Sequence, residues 1–263
     1  MMASVRALLR HGVLAAFLCV PAAASGEEPA LPLLPGVGRS AARAVVDVNR
    51  APWRGVVRVQ TELGGRCSGA LVGPRLVLTA AHCLYGRGTG RLVQPGSVHV
   101  LAGYDHGDYA AHARAVWIAP GPGFALGPTM QPLPGARLDG DWAILTLDQP
   151  LGTADRVLPL ADRMPPAGAP AMLGGYEQDR AQVMIADVSC AVTGVERDGA
   201  GQALLRHSCA GTRGSSGAPL LGREPDGRWA ILGVASRVFL GGVGGYAVPG
   251  SAIAPFLTPR AGR

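Results

Sequence analysis

The sequence predicts an all-β chain, a sandwich or a barrel, and three observations carry that prediction. Apolar runs are short, of strand rather than helix length, and they recur along most of the chain. Turn formers separate them, drawn from 39 glycines and 22 prolines that follow no collagen-like period. Beyond the first two dozen residues there is no heptad, internal repeat or apolar span of bilayer length. The 263 residues are 48% hydrophobic and 16% charged, enough to bury a core, which excludes a highly charged disordered chain.

The elements follow in order. Residues 1–24 carry Arg6 and Arg10 before an apolar run from Gly12 to Val20, then Pro21-Ala22-Ala23-Ala24. A basic start, an apolar stretch of about ten residues and an A-x-A-like end describe a cleavable export signal, with the cut expected after Ala24. Cys19 would suit a lipid anchor, but Leu18 before it is bulkier than a lipoprotein signal places there. Residues 25–43 are rich in Pro, Gly and Ala and read as a propeptide or flexible lead-in. A first strand series is expected at 55–60, 70–72, 76–79, 98–102, 115–118 and 143–147, within residues 45–150. Residues 119–140 and 148–170 are Pro/Gly-rich, and the second stretch is the candidate linker. A second series follows within 151–258, at 171–174, 182–188, 191–195, 203–207, 219–221, 229–235 and 245–248. Ile253, Phe256 and Leu257 then fall at i, i+3 and i+4, the spacing of one short helix.

All basic residues are arginine, 24 against 18 acids, for a net charge of +6. They are scattered singly, without the clustered stripe that phosphate binding calls for, so nucleic acid is not an expected partner. Loss of residues 1–24 takes away two arginines and no acid, which lowers the charge to +4, and it removes Cys19. Cys67, Cys83, Cys190 and Cys209 remain. Four cysteines in an exported chain read as disulfides, and local spacing favours Cys67–Cys83 and Cys190–Cys209 among three possible pairings. Zinc is the rival, but no C-x-x-C spacing supports it.

Three segments carry chemistry. His82 in Thr79-Ala80-Ala81-His82-Cys83 follows an apolar strand and sits beside a cysteine that can fix it, as a general base requires. Asp141 opens the apolar run Trp142-Ala143-Ile144-Leu145; a carboxylate buried there can hold an imidazole in one tautomer and stabilise its protonated form. Ser216 lies in Gly211-Thr212-Arg213-Gly214-Ser215-Ser216-Gly217-Ala218-Pro219, where Gly214 lets the N–H groups of Gly214 and Ser216 aim at one oxyanion. Each has a plainer reading as a structural histidine, a turn acid or a polar hairpin. A further cluster, His106, Asp108 and His112, could suggest a metal hydrolase. No ligand-bearing helix or matching acid lies near it, so a polar loop is expected and no metal or other cofactor.

Taken together, in the order His, Asp, Ser, these motifs resemble the chymotrypsin/trypsin-like serine endopeptidases, especially bacterial exported members, over about residues 45–258. The resemblance implies two six-stranded antiparallel β-barrels and a short C-terminal helix. His82 and Asp141 would come from the first barrel and Ser216 from the second, with a polypeptide substrate in the cleft between. Cys67–Cys83 would be the disulfide bracketing the histidine, and Ser236 in Val234-Ala235-Ser236 would stand beside the triad aspartate. The cleavable signal points to a secreted or periplasmic protein, expected to be a monomer without a stable membrane anchor.

Two departures mark this chain. Ser215 stands where relatives often carry an aspartate that pairs with a freed amino terminus, and Arg43-Ala44-Val45-Val46 is only a faint activation site. A pre-formed site, or a propeptide removed differently, is expected; processing at the faint site would start the mature chain near Ala44. Ala210 falls at the pocket-floor position where trypsin-like enzymes carry an aspartate, so Arg/Lys preference is not expected. Val238 would narrow the pocket towards apolar side chains, while Arg213 and Arg237 suit a glutamate-preferring alternative. A non-catalytic homologue acting as a binding module is the rival outside enzymes.

Overall fold

A computed structural model describes residues 34–38, 43–197 and 201–257. The expected export signal, residues 1–24, lies outside them. Strand follows strand: β1 (Arg43–Val45), β2 (Val56–Thr61), β3 (Arg66–Gly73), β4 (Leu76–Thr79), β5 (Val98–Ala102), β6 (Ala111–Pro120) and β7 (Ala143–Leu147) come first. They are succeeded by β8 (Pro170–Gly175), β9 (Ile185–Arg197), β10 (Ala203–His207), β11 (Pro219–Arg223), β12 (Trp229–Val238) and β13 (Gly245–Pro249). Helix α1 (Gly250–Leu257) ends the described chain.

Strands β2 to β7 close an antiparallel barrel in the order β2-β3-β4-β7-β6-β5. Alternation fills it: Val57 and Val59 of β2, Leu71 of β3, Val77 of β4 and Leu145 of β7 point inward and are buried together. Strands β8 to β13 close a second barrel, in which β8 pairs with both β11 and β9 and the path continues through β10, β13 and β12. Leu173, Val192, Leu205 and Leu220 fill this one. These are the two six-stranded barrels and single short helix that the sequence resemblance implies.

Three differences from the expected elements have local causes. The strands expected at 182–188 and 191–195 are one strand, β9. It continues through a bulge, because Leu173 and Ala171 of β8 oppose Asp187 and Cys190, so β9 carries one extra residue there. Strand β1 falls partly in the expected lead-in: Arg43 to Val45 pair antiparallel with Asp187 to Ile185 of the second barrel. Three residues are too few for periodicity to reveal. Residues 34–38 are also placed, with the Gly36 carbonyl accepting from the Gly211 and Gly244 N–H groups at 3.3 and 3.0 Å.

Two apolar clusters join the barrels. Trp53, Val56, Leu101 and Tyr104 of the first meet Tyr176, Met184, Leu221 and Ile231 of the second. On another side Leu78, Trp142 and Ile144 meet Val234, Val248 and Ile253. Ile253 is the buried face of α1 and Phe256 lies 5.0 Å from the Trp142 ring, so the expected helical stripe serves to cover this junction.

Both disulfides pair locally, Cys67–Cys83 and Cys190–Cys209. The first ties β3 to the turn that follows β4, a loop of 16 residues. Closing a loop of that size contributes about 3 kcal/mol through the unfolded chain. A Cys67→Ala/Cys83→Ala chain should therefore lose about 3 kcal/mol in a urea titration, and an unchanged midpoint would contradict this.

Candidate active site

Register places the first two site residues. Thr79 of β4 pairs with Ala143 of β7, so the chain three residues after Thr79 and two before Ala143 emerges at the same barrel end. His82 stands there in the single 3-10 turn Ala81–Leu84, and Asp141 follows another such turn, Leu138–Gly140. The His82 Nδ1 lies 2.8 Å from Asp141 Oδ2 and 3.1 Å from Oδ1. Asp141 Oδ1 also accepts from the His82 backbone N–H at 2.9 Å, and the Ser236 hydroxyl donates to Oδ2. A carboxylate so held leaves the far nitrogen of the ring, Nε2, facing away from it.

These contacts set the protonation of both groups. Burial alone would lower the His82 pKa, but the Asp141 charge and hydrogen bond outweigh it and raise it above 6.5, with Arg237 opposing. Burial would raise Asp141, yet the His82 charge and the hydrogen bonds from His82 and Ser236 hold it below the usual carboxylate range. A base with a raised pKa loses its neutral form earlier on acidification. If His82 is the base, kcat/KM should fall below a midpoint above the unperturbed value of about 6.5, and a rate flat from about pH 5 to 8 would count against it.

Ser216 comes from the loop between β10 and β11, and backbone bonds lock that loop onto both barrels. Gly217 N–H donates to Ala235 O at 2.7 Å and Ala235 N–H to Ala218 O at 2.9 Å, which sets Ser216 beside β12. From the first barrel, Ser68 N–H donates to Ser216 O at 2.9 Å. Gly217 has φ +79°, and a Cβ there would meet Ser68 O and Thr79 Oγ1 at 2.3 Å, so only glycine lets the loop approach β3 and β4 this closely.

The two N–H groups singled out in the sequence are oriented by their peptide carbonyls. Arg213 O accepts from Gln178 N–H at 2.7 Å, so the trans peptide points Gly214 N–H the opposite way. Ser215 O accepts from Ala218 N–H at 2.8 Å and turns Ser216 N–H likewise. Among the described residues neither N–H has an acceptor in the chain. Gly214 holds φ +99°, and a Cβ there would run into Tyr176 O and Glu177 Cα.

His82, Gly214, Ser216 and Arg213 line one cavity of about 620 Å³, together with Arg66 and Cys67. A smaller recess beside Ser216 is lined by Leu173, His207, Ala235, Ser236, Arg237 and Val238. Ala210 is fully buried and donates its N–H to Asp187 Oδ2 at 2.8 Å, while Arg213 is exposed. His207 was not among the residues the sequence singled out. It is buried, and among the described residues its ring nitrogens meet no partner in good hydrogen-bond geometry; burial pushes its pKa down to about 4 against the Cys209 backbone and the Asp187 charge. Among the described residues Cys67, His82 and Cys83 group closely enough to suggest a metal site, but both cysteines are spent in the disulfide. His106 and His112 do not gather round Asp108: His106 meets Asp105, and His112 stacks on His99.

Comparison with known proteins bears on the family and the fold. The Trypsin family model matches residues 43–254. Among solved structures, a Glu endopeptidase in complex with MPD superposes with a TM-score of 0.68 at 18% identity, covering 84% of this chain and 96% of the other. No curated protein matches the sequence.

Proposed function

The chain belongs to the trypsin family of serine endopeptidases, and we propose that it cleaves polypeptides through Ser216, His82 and Asp141 by way of an acyl-enzyme. The Asp141 carboxylate held at 2.8 Å from His82 Nδ1 carries this reading, because it leaves Nε2 to face the cavity that Ser216 shares. In the reaction Ser216 Oγ attacks the peptide carbonyl carbon while His82 takes the hydroxyl proton. The carbonyl π-electrons move to oxygen, and the N–H groups of Gly214 and Ser216 receive that oxyanion. Collapse breaks the C–N bond, with His82 returning its proton to the leaving amine. Water then repeats the sequence on the ester and restores Ser216. No cofactor takes part in these steps.

Labelling by a fluorophosphonate tests the assignment. The adduct should sit on Ser216; a folded chain that does not label would be the binding-module homologue instead.

The recess beside Ser216 is narrow, about 10 Å³, and Leu173, Ala235 and Val238 among its lining, with no acid to receive arginine or lysine, favour a small apolar side chain. Ala210, Ser236, Arg237 and Val238 remain the specificity candidates, with Arg213 at the cavity rim. One observation favours the glutamate-preferring alternative: the buried ring of His207 beside Arg237 could donate to a substrate carboxylate. The Glu endopeptidase that shares the fold is consistent with either. A peptide-library profile decides. Cleavage after Leu, Val or Ala supports the apolar pocket, and cleavage after Glu that His207→Leu abolishes supports the other.

Residues 1–24 act in this reading as a signal for export to the periplasm or exterior, where the two disulfides persist. Residues 25–43 are the lead-in, 45–150 the first barrel and 151–258 the second. The chain works as a monomer, and among the described residues no helix is long and apolar enough to cross a membrane. A native mass of one chain beginning near Ser25 is the expected measurement.

A further inference from the structure

Glu177 is fully buried just after β8 and faces the oxyanion loop. Its Oε2 accepts from Thr212 N–H at 3.0 Å and from Arg43 Nη1. Arg43 is itself 9% exposed and reaches Asp179 Oδ2 through Nη2 at 2.8 Å. The next residue, Gln178, donates its N–H to Arg213 O, and Gly214 packs on the Tyr176–Glu177 backbone. Thr212 O in turn accepts from the Ser215 N–H at 3.0 Å and from the Ser215 hydroxyl at 2.7 Å. A continuous run of contacts therefore links the start of β1 to both peptides whose N–H groups face the cavity. The cation that faces Glu177 is the Arg43 guanidinium, and Ser215 offers no carboxylate with which a freed amino terminus could pair.

We propose that Arg43, acting through Glu177, is a positioning residue for the oxyanion loop, so that the active enzyme keeps Arg43 in its chain and is not switched on by cleavage before Ala44. This rests on the peptidase reading above and goes beyond it. Burial already raises the Glu177 carboxyl to about 7 against the pull of the Arg43 charge, so loss of Arg43 favours its protonated form, which holds Thr212 N–H more weakly. The loss falls on the transition state, since the ground-state carbonyl gains little from the oxyanion donors.

The test uses the exported enzyme, with kcat expressed per site titrated by fluorophosphonate so that unfolded molecules do not count. Arg43→Met should lower kcat by about 10²-fold, the scale of one oxyanion donor, while KM holds. Affinity for a peptide aldehyde, whose adduct places an oxygen in the same hole, should fall in parallel. Arg43→Lys should restore most of the rate, and adding Glu177→Gln to Arg43→Met should cost much less than a second independent loss. Wild-type kcat in Arg43→Met overturns the proposal, as does a KM rise with kcat unchanged. Should that variant not fold, the amino terminus of labelled wild-type enzyme decides: a chain that retains Arg43 supports the proposal, and full activity in a chain starting at Ala44 overturns it. Absence of label on the wild-type chain would instead sink the peptidase reading itself.

Discussion

Replacing Ser216 by alanine should lower kcat on a peptide substrate by about 10⁶-fold while leaving the fold and the thermal midpoint unchanged. The size follows from what the hydroxyl supplies. Without Oγ there is no acyl-enzyme, and only binding and the oxyanion donors remain, worth roughly 10³ to 10⁴ over water. The fold should not notice the change, because Ser216 is half-buried and the bonds that hold its loop run through backbone groups of Ser216, Gly217 and Ala218. Circular dichroism with an initial-rate assay checks both halves of the statement. Turnover within about a hundredfold of the unaltered chain would remove Ser216 from the chemistry.

Asp141→Asn should cost about 10⁴-fold in kcat. The carboxylate accepts from the His82 ring, the His82 N–H and the Ser236 hydroxyl. An amide keeps roughly the same shape but turns an NH₂ towards one of those donors, and the ring answers by presenting the wrong tautomer to Ser216. The His82 pKa should also fall, because the charge that raises it is gone, so the residual activity should persist to lower pH than in the unaltered chain. A pH–rate profile of the variant reads this shift directly. An acid limb at the same position would mean that Asp141 does not govern His82.

Much of this architecture was legible before any coordinates, and the reasons are local. The strands at Leu76–Thr79, Val98–Ala102, Ala143–Leu147 and Ala203–His207 fall where apolar runs end at turn residues, with no competing pattern nearby. The His82, Asp141 and Ser216 segments are each short enough to read in one window, and the fold brings them round one cleft. What stayed hidden depends on partners remote in sequence. Glu177 looks like any loop acid until Arg43, 134 residues earlier, is found against it. His207 looks like the end of a strand; its place at the recess arises only because β10 pairs with β13, which in turn pairs with β12. Strand β1 was obscured for a different reason, since Arg43-Ala44-Val45 buries only Arg43 and exposes the other two, the reverse of an apolar pattern.

Strand β1 also sets a timetable. It is made before the whole first barrel, yet its partner β9 belongs to the second, and Arg43 finds Asp187 only when that stretch of chain exists. A ribosome or export channel releases the chain from its amino end, so β1 must wait, unpaired, while the first barrel closes without it. Pairings this distant in sequence close slowly and late. Until they close, Glu177 lacks its cation and the Ser216 loop lacks its backing. The same pairing ties the amino end of the chain to the second barrel once residues 177–187 have emerged, ahead of Ser216 itself.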